Sequence, residues 1–415
     1  MLRNTPIFTR REFMQTLAIA GLGASLPAFL TRSLAAQSVG LPGTGFKDDR
    51  ILVVVQLGGG NDGLNTIVPY ADDHYHRLRR NLALKPDTLL RLDDYHAMAP
   101  TMEPFKHLYD SGELAVVHGV GYPNPNRSHF RSMEIWHTAT DADRYSSTGW
   151  IGRYFDNACS GEANPLAGVN IGQQAPQAFG GRRGMGVSFD RPTDFGWAGE
   201  GRASRDAFDR LNGTKAKHHE HGSTLDFLRH VTANAVTSSD QVIRASRVSR
   251  PAVDYPDSRI GNSLKTIASL IAGGLPTRLY YASMTGFDTH AGQQFSHGGL
   301  LGGFAKSVAA FQKDLKAIGV ADRVQIICFS EFGRRVAENA SRGTDHGTAG
   351  PMFLLGSGVK PGMHGTPCRL DDLDDGDLKH TVDFRSIYAE VLEKWLGTES
   401  EGILGRRFEG IGVLG

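Results

Sequence analysis

The run Ile51 to Leu57, ILVVVQL, constrains the chain more than any other stretch. It is rich in β-branched residues, lacks a solvated face and ends in glycines, so it reads as a strand buried on both sides that opens a central sheet. Glu113 to Val120 (ELAVVHGV), Arg278 to Met284 (RLYYASM) and Val324 to Phe329 (VQIICF) repeat the pattern, and Met352 to Leu355 is a further strand candidate. Between them, apolar spacing predicts helices over Ala71–Leu82, Met102–Tyr109, Leu225–Val248, Ile260–Ile271, Leu300–Ile318 and Phe384–Leu396, the last on the surface. The order strand, helix, strand from Arg278 to Phe329 predicts a right-handed parallel crossover, and hence an α/β chain.

In an open α/β sheet, ligands sit beyond the carboxyl ends of the strands, so the loops there carry the chemistry. After the first strand, Gly58-Gly59-Gly60-Asn61-Asp62-Gly63 formally matches a dinucleotide fingerprint. That reading fails because Leu64 to Val68 is apolar and β-branched and runs into Pro69, where the fingerprint needs a helix. The segment is either a tight turn or a loop whose glycines let backbone approach a ligand while Asn61 or Asp62 supplies oxygen. After the third strand come Asp288 and His290, two apart on an extended loop and so on one side, as two ligands of one ion would be. After the fourth, Ser330 to Pro351 carries Glu331, Asp345 and His346. These residues fit either a charged surface loop turning at Gly347 or donors to one divalent cation, with mixed oxygen and nitrogen ligands favouring zinc or manganese over calcium.

Beyond Val120 the chain turns through GYPNPNR to Ser128, and Phe130, Met133 and Trp136 then recur at helical spacing. Ser128 therefore falls at a helix N-cap, where two roles are open. It caps the helix, or it is a nucleophile at a terminus whose free N–H groups suit a phosphate or sulfate ester. Arg127 and Arg131 would add cationic donors, and a divalent cation would activate the hydroxyl.

A 415-residue chain that is 40% hydrophobic can bury a large core, and a formal charge of +1 gives no electrostatic footprint for nucleic acid. No apolar run after residue 40 approaches a membrane span. Cys328 lies within a strand run; Cys159 and Cys368 are far apart in sequence and could pair only if the fold brings them together, and no CxxC spacing marks a soft-metal site. Residues 1–36 read as an address: Arg10-Arg11 precedes a gently apolar stretch and Ser33-Leu34-Ala35-Ala36 offers small residues for cleavage. This resembles a twin-arginine export signal, which implies folding before transport, a periplasmic or extracellular mature protein and no transmembrane anchor. Residues 161–253 are the least readable part and are expected as an insert; Gly180 to Gly184 reads as a basic turn, and His218, His219 and His221 as a solvated segment.

Taken together, the twin-arginine start, VVVQLGGGNDGLN, YPNPNRSHFRSMEIW, GFDTHAGQ, SEFGRR and DHGTAGPMFLLG resemble the exported proteins grouped as domain of unknown function 1501, similar in turn to the alkaline phosphatase and sulfatase superfamily. The resemblance implies one alkaline-phosphatase-like domain over residues 37–415, a doubly wound, mostly parallel sheet with helices on both faces. It also implies a two-metal site beside a serine or threonine nucleophile. Ser128 looks like that nucleophile, Asp288 and His290 like the pair on one metal, Glu331 like the acid on the other and His346 like the last histidine ligand. Two positions depart from the pattern. Gly58 to Gly60 stand where the first strand should end in aspartate, leaving Asn61 or Asp62, and Phe332 stands where a histidine follows the acid; a second ion would be lost, moved or rebuilt through Asp345. Two functions follow. One is an exported metal-dependent hydrolase of phosphate or sulfate esters, acting on a small or polymer-borne anionic substrate with one or two ions. The other is a non-catalytic exported binding or assembly protein, which a second exported protein would partner.

Overall fold

The computed structural model describes residue 46 and residues 48–159, 164–183, 186–195, 238–248 and 250–415. Arg10, Arg11, His218, His219 and His221 lie outside the described residues. Among the described residues nine strands build the main sheet: β1 (Ile51–Gly58), β2 (Leu114–Gly121), β3 (Gly168–Ile171), β4 (Val187–Phe189), β5 (Leu279–Thr285), β6 (Val324–Ser330), β7 (Gly350–Gly356), β8 (Gly362–His364) and β9 (Val382–Asp383). Their spatial order is β8-β2-β7-β6-β1-β5-β3-β4, with β9 also paired to β2. Every pairing is parallel except those of β7, which runs antiparallel to both β2 and β6.

β1 lies inside the sheet, with Val55 opposite Ala282 on one side and Cys328 on the other. Its side chains alternate between two cores, Ile51, Val53, Val55 and Leu57 facing one and Leu52 and Val54 the other. The first core is covered by α1 (Glu103–Asp110), which follows β1, and the second by α2 (His129–Thr138) and α3 (Trp150–Ala158). Later in the chain α4 (Arg259–Ala272) and α5 (Gln293–Ala317) join the first face, and α6 (Phe384–Glu390) the second. Helices on both faces explain why the strands carry continuous apolar runs, since each fully buried Val or Ile contributes about 1.5–3 kcal/mol relative to exposure. The mostly parallel sheet with helices on both faces is the fold class read from the sequence.

Several expected elements differ. β5 and β6 are parallel and joined by α5, but β1 lies between them, so the connection spans a strand. α5 begins at Gln293 rather than near Leu300, and a glycine in it serves close packing: a Cβ on Gly302 would lie 3.3 Å from the Cβ of Thr101. The helix expected over Ala71–Leu82 shrinks to Asp73–Leu78, since Arg79 leaves helical geometry and turns into the core. Residues from Phe384 to Trp395 form a buried helix ending in a π-turn rather than a surface helix, with Phe384, Ile387, Tyr388, Val391, Leu392 and Trp395 all in the second core. Within the supposed insert, β3 and β4 are strands of the main sheet itself. The turn at Arg182 and Arg183 is held by their backbone N–H groups, which donate to Asp156. No disulfide joins Cys159, Cys328 or Cys368 to one another; Cys159 packs in the second core, while Cys368 packs against a separate apolar cluster. No helix among the described residues is long and apolar enough to cross a membrane.

Candidate metal centre

β1, β5 and β6 run in one direction and end level, Gly58 beside Thr285 and Leu57 beside Ser330, so their loops converge at one sheet edge. Only glycine fits the first of these loops. A Cβ on Gly59 (φ 118°) would lie 2.5 Å from the Asp288 nitrogen, and one on Gly60 (φ 74°) 2.4 Å from the Phe332 ring. The glycines thus admit neighbouring protein rather than a ligand. Arg334, fully buried, fastens the loops together by donating to the carbonyls of Gly59, Gly60 (2.7 Å), Phe287 (3.1 Å) and Thr344 (2.7 Å) and to Asp288 Oδ1 (2.6 Å).

Around Asp288 Oδ1 stand three imidazole nitrogens: His129 Nε2 at 3.4 Å, His290 Nε2 at 3.2 Å and His346 Nε2 at 3.2 Å. His290 Nε2 and His346 Nε2 are 2.9 Å apart. The ligand atoms of His129, Asp288 and His346 all lie within 4.8 Å of one another, and His290 joins them through its contacts with Asp288 and His346. Each ring is anchored by its other nitrogen. His129 Nδ1 meets Glu331 Oε1 at 2.8 Å, His290 Nδ1 meets Asp345 Oδ1 at 3.2 Å, and His346 Nδ1 meets the Arg127 carbonyl at 2.7 Å. With an ion bound, each ring would donate its Nδ1–H outward and turn its Nε2 lone pair inward, the tautomer and aim that metal-ligating histidines show.

A divalent cation fits this donor set on two counts. Tetrahedral bonds of ~2.1 Å put ligand atoms about 3.4 Å apart, close to the spacings from Asp288 to the three rings. His129 Nε2 is also buried without a hydrogen-bond partner, a vacancy that a Lewis acid would fill.

The electrostatics shift the donors in different directions. Burial would raise the Asp288 carboxyl, but the hydrogen bond and charge of Arg334, with His346 and His129 close by, bring it down to about 2, so it is anionic. The Glu331 hydrogen bond raises His129 above the ordinary imidazole range against the opposing effect of burial. Burial lowers His346 despite the Arg127 carbonyl and Asp288, which favours the neutral ring a metal requires. Asp345 is held low, first by its hydrogen bond from Asn339 and then by His290.

The acids and histidines singled out as candidate metal ligands fall into three groups. Asp288, His290 and His346 converge. Glu331 and Asp345 stand behind the cluster: Glu331, fully buried, accepts from His129 and from Gly59 N at 2.8 Å, and Asp345 orients His290. Asp62 lies apart, its buried carboxylate held by Arg79 at 2.5 Å, by Gln293 and by Leu64 N at 3.2 Å.

Arg127 and Ser128 sit on the approach to α2, and Arg131 lies in its first turn. Ser128 occupies the N-cap position, exposed, but its side chain makes no capping bond. Arg127 donates to Asp377 Oδ2 at 2.7 Å and Asp375 Oδ2 at 3.3 Å. Arg131 donates to the carbonyls of Ala142 and Arg144, pairs with Glu134 at 2.6 Å and stacks on Tyr145. Both guanidinium groups therefore bind the protein itself.

Sequence reasoning missed His129 and Arg334. The only signal for His129 was its place beside Ser128 at the start of a helix that follows a strand end. Arg334 lay in the SEFGRR motif without a role.

Residues 271–405 match the family described as protein of unknown function (DUF1501). The DUF1501 match contains Asp288, His290, Glu331, Arg334, Asp345 and His346, whereas Arg127, Ser128 and His129 precede it. No curated protein matches the chain in sequence. Among solved structures, the PsFucS1 sulfatase from Pseudoalteromonas sp. is 9% identical, with 89% of this chain and 72% of that one covered and a TM-score of 0.40. A protein in the alkaline phosphatase superfamily from Vibrio parahaemolyticus is 10% identical over 96% and 78%, with a TM-score of 0.38. The C-terminal periplasmic domain of EcEptC from Escherichia coli, in complex with Zn, is 11% identical over 78% and 77%, with a TM-score of 0.37. With TM-scores of 0.40 and below, none of them bears on the site.

Proposed function

We propose that the chain is an exported, metal-dependent hydrolase of phosphate or sulfate esters with Ser128 as nucleophile. The observation that carries this is the convergence of three anchored imidazoles on Asp288 beside a helix terminus with an unengaged serine. His129, Asp288, His290 and His346 would hold one ion, and a set dominated by imidazole favours zinc, with manganese next. Such an ion supplies Lewis-acid polarisation of the ester and lowers the pKa of a nearby hydroxyl. Ser128 presents its hydroxyl at the first turn of α2, where unsatisfied N–H groups and the helix dipole favour an anionic oxygen. Asp288, kept anionic by Arg334, and the outward-anchored rings hold the donors in place before substrate arrives. The substrate is a small or polymer-borne anionic ester, and the resemblance of residues 1–36 to a twin-arginine signal supports a mature protein in the periplasm or outside the cell.

A second reading rests on Arg127 and Arg131. Both spend their guanidinium groups on the protein, which suits a non-catalytic exported binding or assembly protein that keeps the fold.

The test is a panel of aryl phosphates and aryl sulfates with added Zn²⁺ or Mn²⁺, run on wild type, Ser128→Ala and Ser128→Asp. A nucleophile loses at least about a thousandfold in turnover in both variants. Because no capping bond is present, Ser128→Ala should also leave stability within about 0.5 kcal/mol. Turnover that survives in Ser128→Asp removes Ser128 from the mechanism, and metal-free folded protein without turnover favours the binding reading.

A further inference from the structure

The approach to His346 is held from outside the metal cluster by a hairpin the proposed chemistry does not use. Leu373–Asp374 and Asp377–Leu378 pair antiparallel around Asp375 (φ 50°) and Gly376 (φ 82°), a two-residue Asp-Gly turn with both φ values positive. The hairpin is docked on the loop after β6: Val336 N donates to the Gly376 carbonyl, and the Thr348 hydroxyl to the Leu378 carbonyl. Its Asp377 side chain is only 2% exposed and receives the Arg127 Nε at 2.7 Å. Arg335 lies over the same turn, 3.1 Å from Asp375 Oδ2 and 3.7 Å from Asp377 Oδ1.

Arg127 faces two ways. Its guanidinium points to the hairpin, while its carbonyl accepts from His346 Nδ1 at 2.7 Å and so fixes the ring that aims Nε2 at Asp288. We infer that the Leu373–Leu378 hairpin sets the metal-binding geometry of His346 through Arg127, which makes Asp377 and Arg127 positioning residues rather than substrate-binding ones. The inference rests on the metal reading above. A loop residue such as Arg127, in the connection between β2 and α2, has no ladder of its own to fix its carbonyl, and the buried carboxylate supplies that constraint.

The experiment is zinc calorimetry on the full folded chain, comparing wild type with Asp377→Asn, Arg127→Gln and the double variant. Each single change should weaken zinc binding by about 10–100-fold. The double variant should lose no more than Arg127→Gln alone, because both act through one path. Arg127→Lys, which keeps a charge opposite Asp377 without the planar fork, should recover part of the loss. A merely structural pair would instead lower the melting temperature and leave the zinc affinity of the folded protein unchanged. Wild-type affinity in both single variants, or strictly additive losses, overturns the inference while the metal reading stands; a wild type that binds no zinc overturns both.

Discussion

Replacing Asp62 separates a structural carboxylate from a metal ligand. Its side chain and that of Arg79 are both fully buried, with Arg79 Nη1 2.5 Å from Asp62 Oδ2. Burial alone would raise the Asp62 carboxyl, but the Arg79 charge and hydrogen bond, His297 and Gln293 hold it below the ordinary carboxylate range. Asp62→Ala leaves the Arg79 guanidinium with the Val336 and Arg335 carbonyls and Asn65, all neutral. Stranding one charge of a buried pair costs about 3–5 kcal/mol. At about 1.4 kcal/mol per tenfold, that is roughly two to four orders of magnitude in the unfolding equilibrium. With a urea slope of about 3 kcal/mol/M, the denaturation midpoint should fall by about 1–1.7 M with the slope unchanged. Zinc content, measured by elemental analysis on the same preparation, should stay at the wild-type value. A variant of near wild-type stability that has lost its metal would refute this reasoning and put Asp62 among the ligands.

Three further outcomes are expected. The double change Asp288→Ala, His290→Ala should abolish bound zinc or manganese, and a chelator should lower the melting temperature of wild type only, since an ion at a hundred times its Kd adds about 2.7 kcal/mol to the folded state; an unchanged metal content in the variant would mean that no such site exists. Burial pushes His118, His137 and His297 down to about 4. The unfolded chain then takes up protons that the folded one refuses, so stability is complete above about 6.5 and falls as pH drops toward 4; urea midpoints across that range check it, and His118→Leu should flatten the slope. Changing Arg10 and Arg11 together to lysine keeps the charge but should block export, because recognition reads the arginine pair, and normal accumulation of cleaved protein outside the cytoplasm would show the N-terminus misread.

The strands were legible because burial on both faces writes itself as an unbroken apolar run, as in Ile51–Leu57. The acid and histidine loops were legible from their places after strand ends. Which side chain would ligate was not. Glu331 follows β6 as expected, yet its carboxylate lies beneath His129 rather than in the cluster, a direction set by hydrogen bonds from Gly59 N and the Ser330 hydroxyl. Asp62 finds its partner in Arg79, 17 residues on, a pairing that only the tertiary fold brings about. His129 was hidden inside a stretch whose helical spacing at Phe130, Met133 and Trp136 drew attention to packing; Phe130 is in fact 91% exposed, while Trp136 is buried. The Phe384 helix reads in the sequence as a surface element because Gly397 marks an ordinary helix end, although its apolar residues cover more than one face.

The reversed direction of β7 gives the molecule a property its parallel strands could not. A parallel successor to β6 would have to carry the chain back across the sheet, with a helix between. Because β7 returns directly, the segment from Glu331 to Ala349 leaves and re-enters the sheet at the same end. One uninterrupted stretch therefore supplies His346, the two carboxylates that steer His129 and His290, the aromatic wall Phe332 and the fastening Arg334. That stretch is a cassette: exchanged as a whole between fixed strand ends, it would change one donor and the groups that steer two others in a single replacement while leaving both cores untouched.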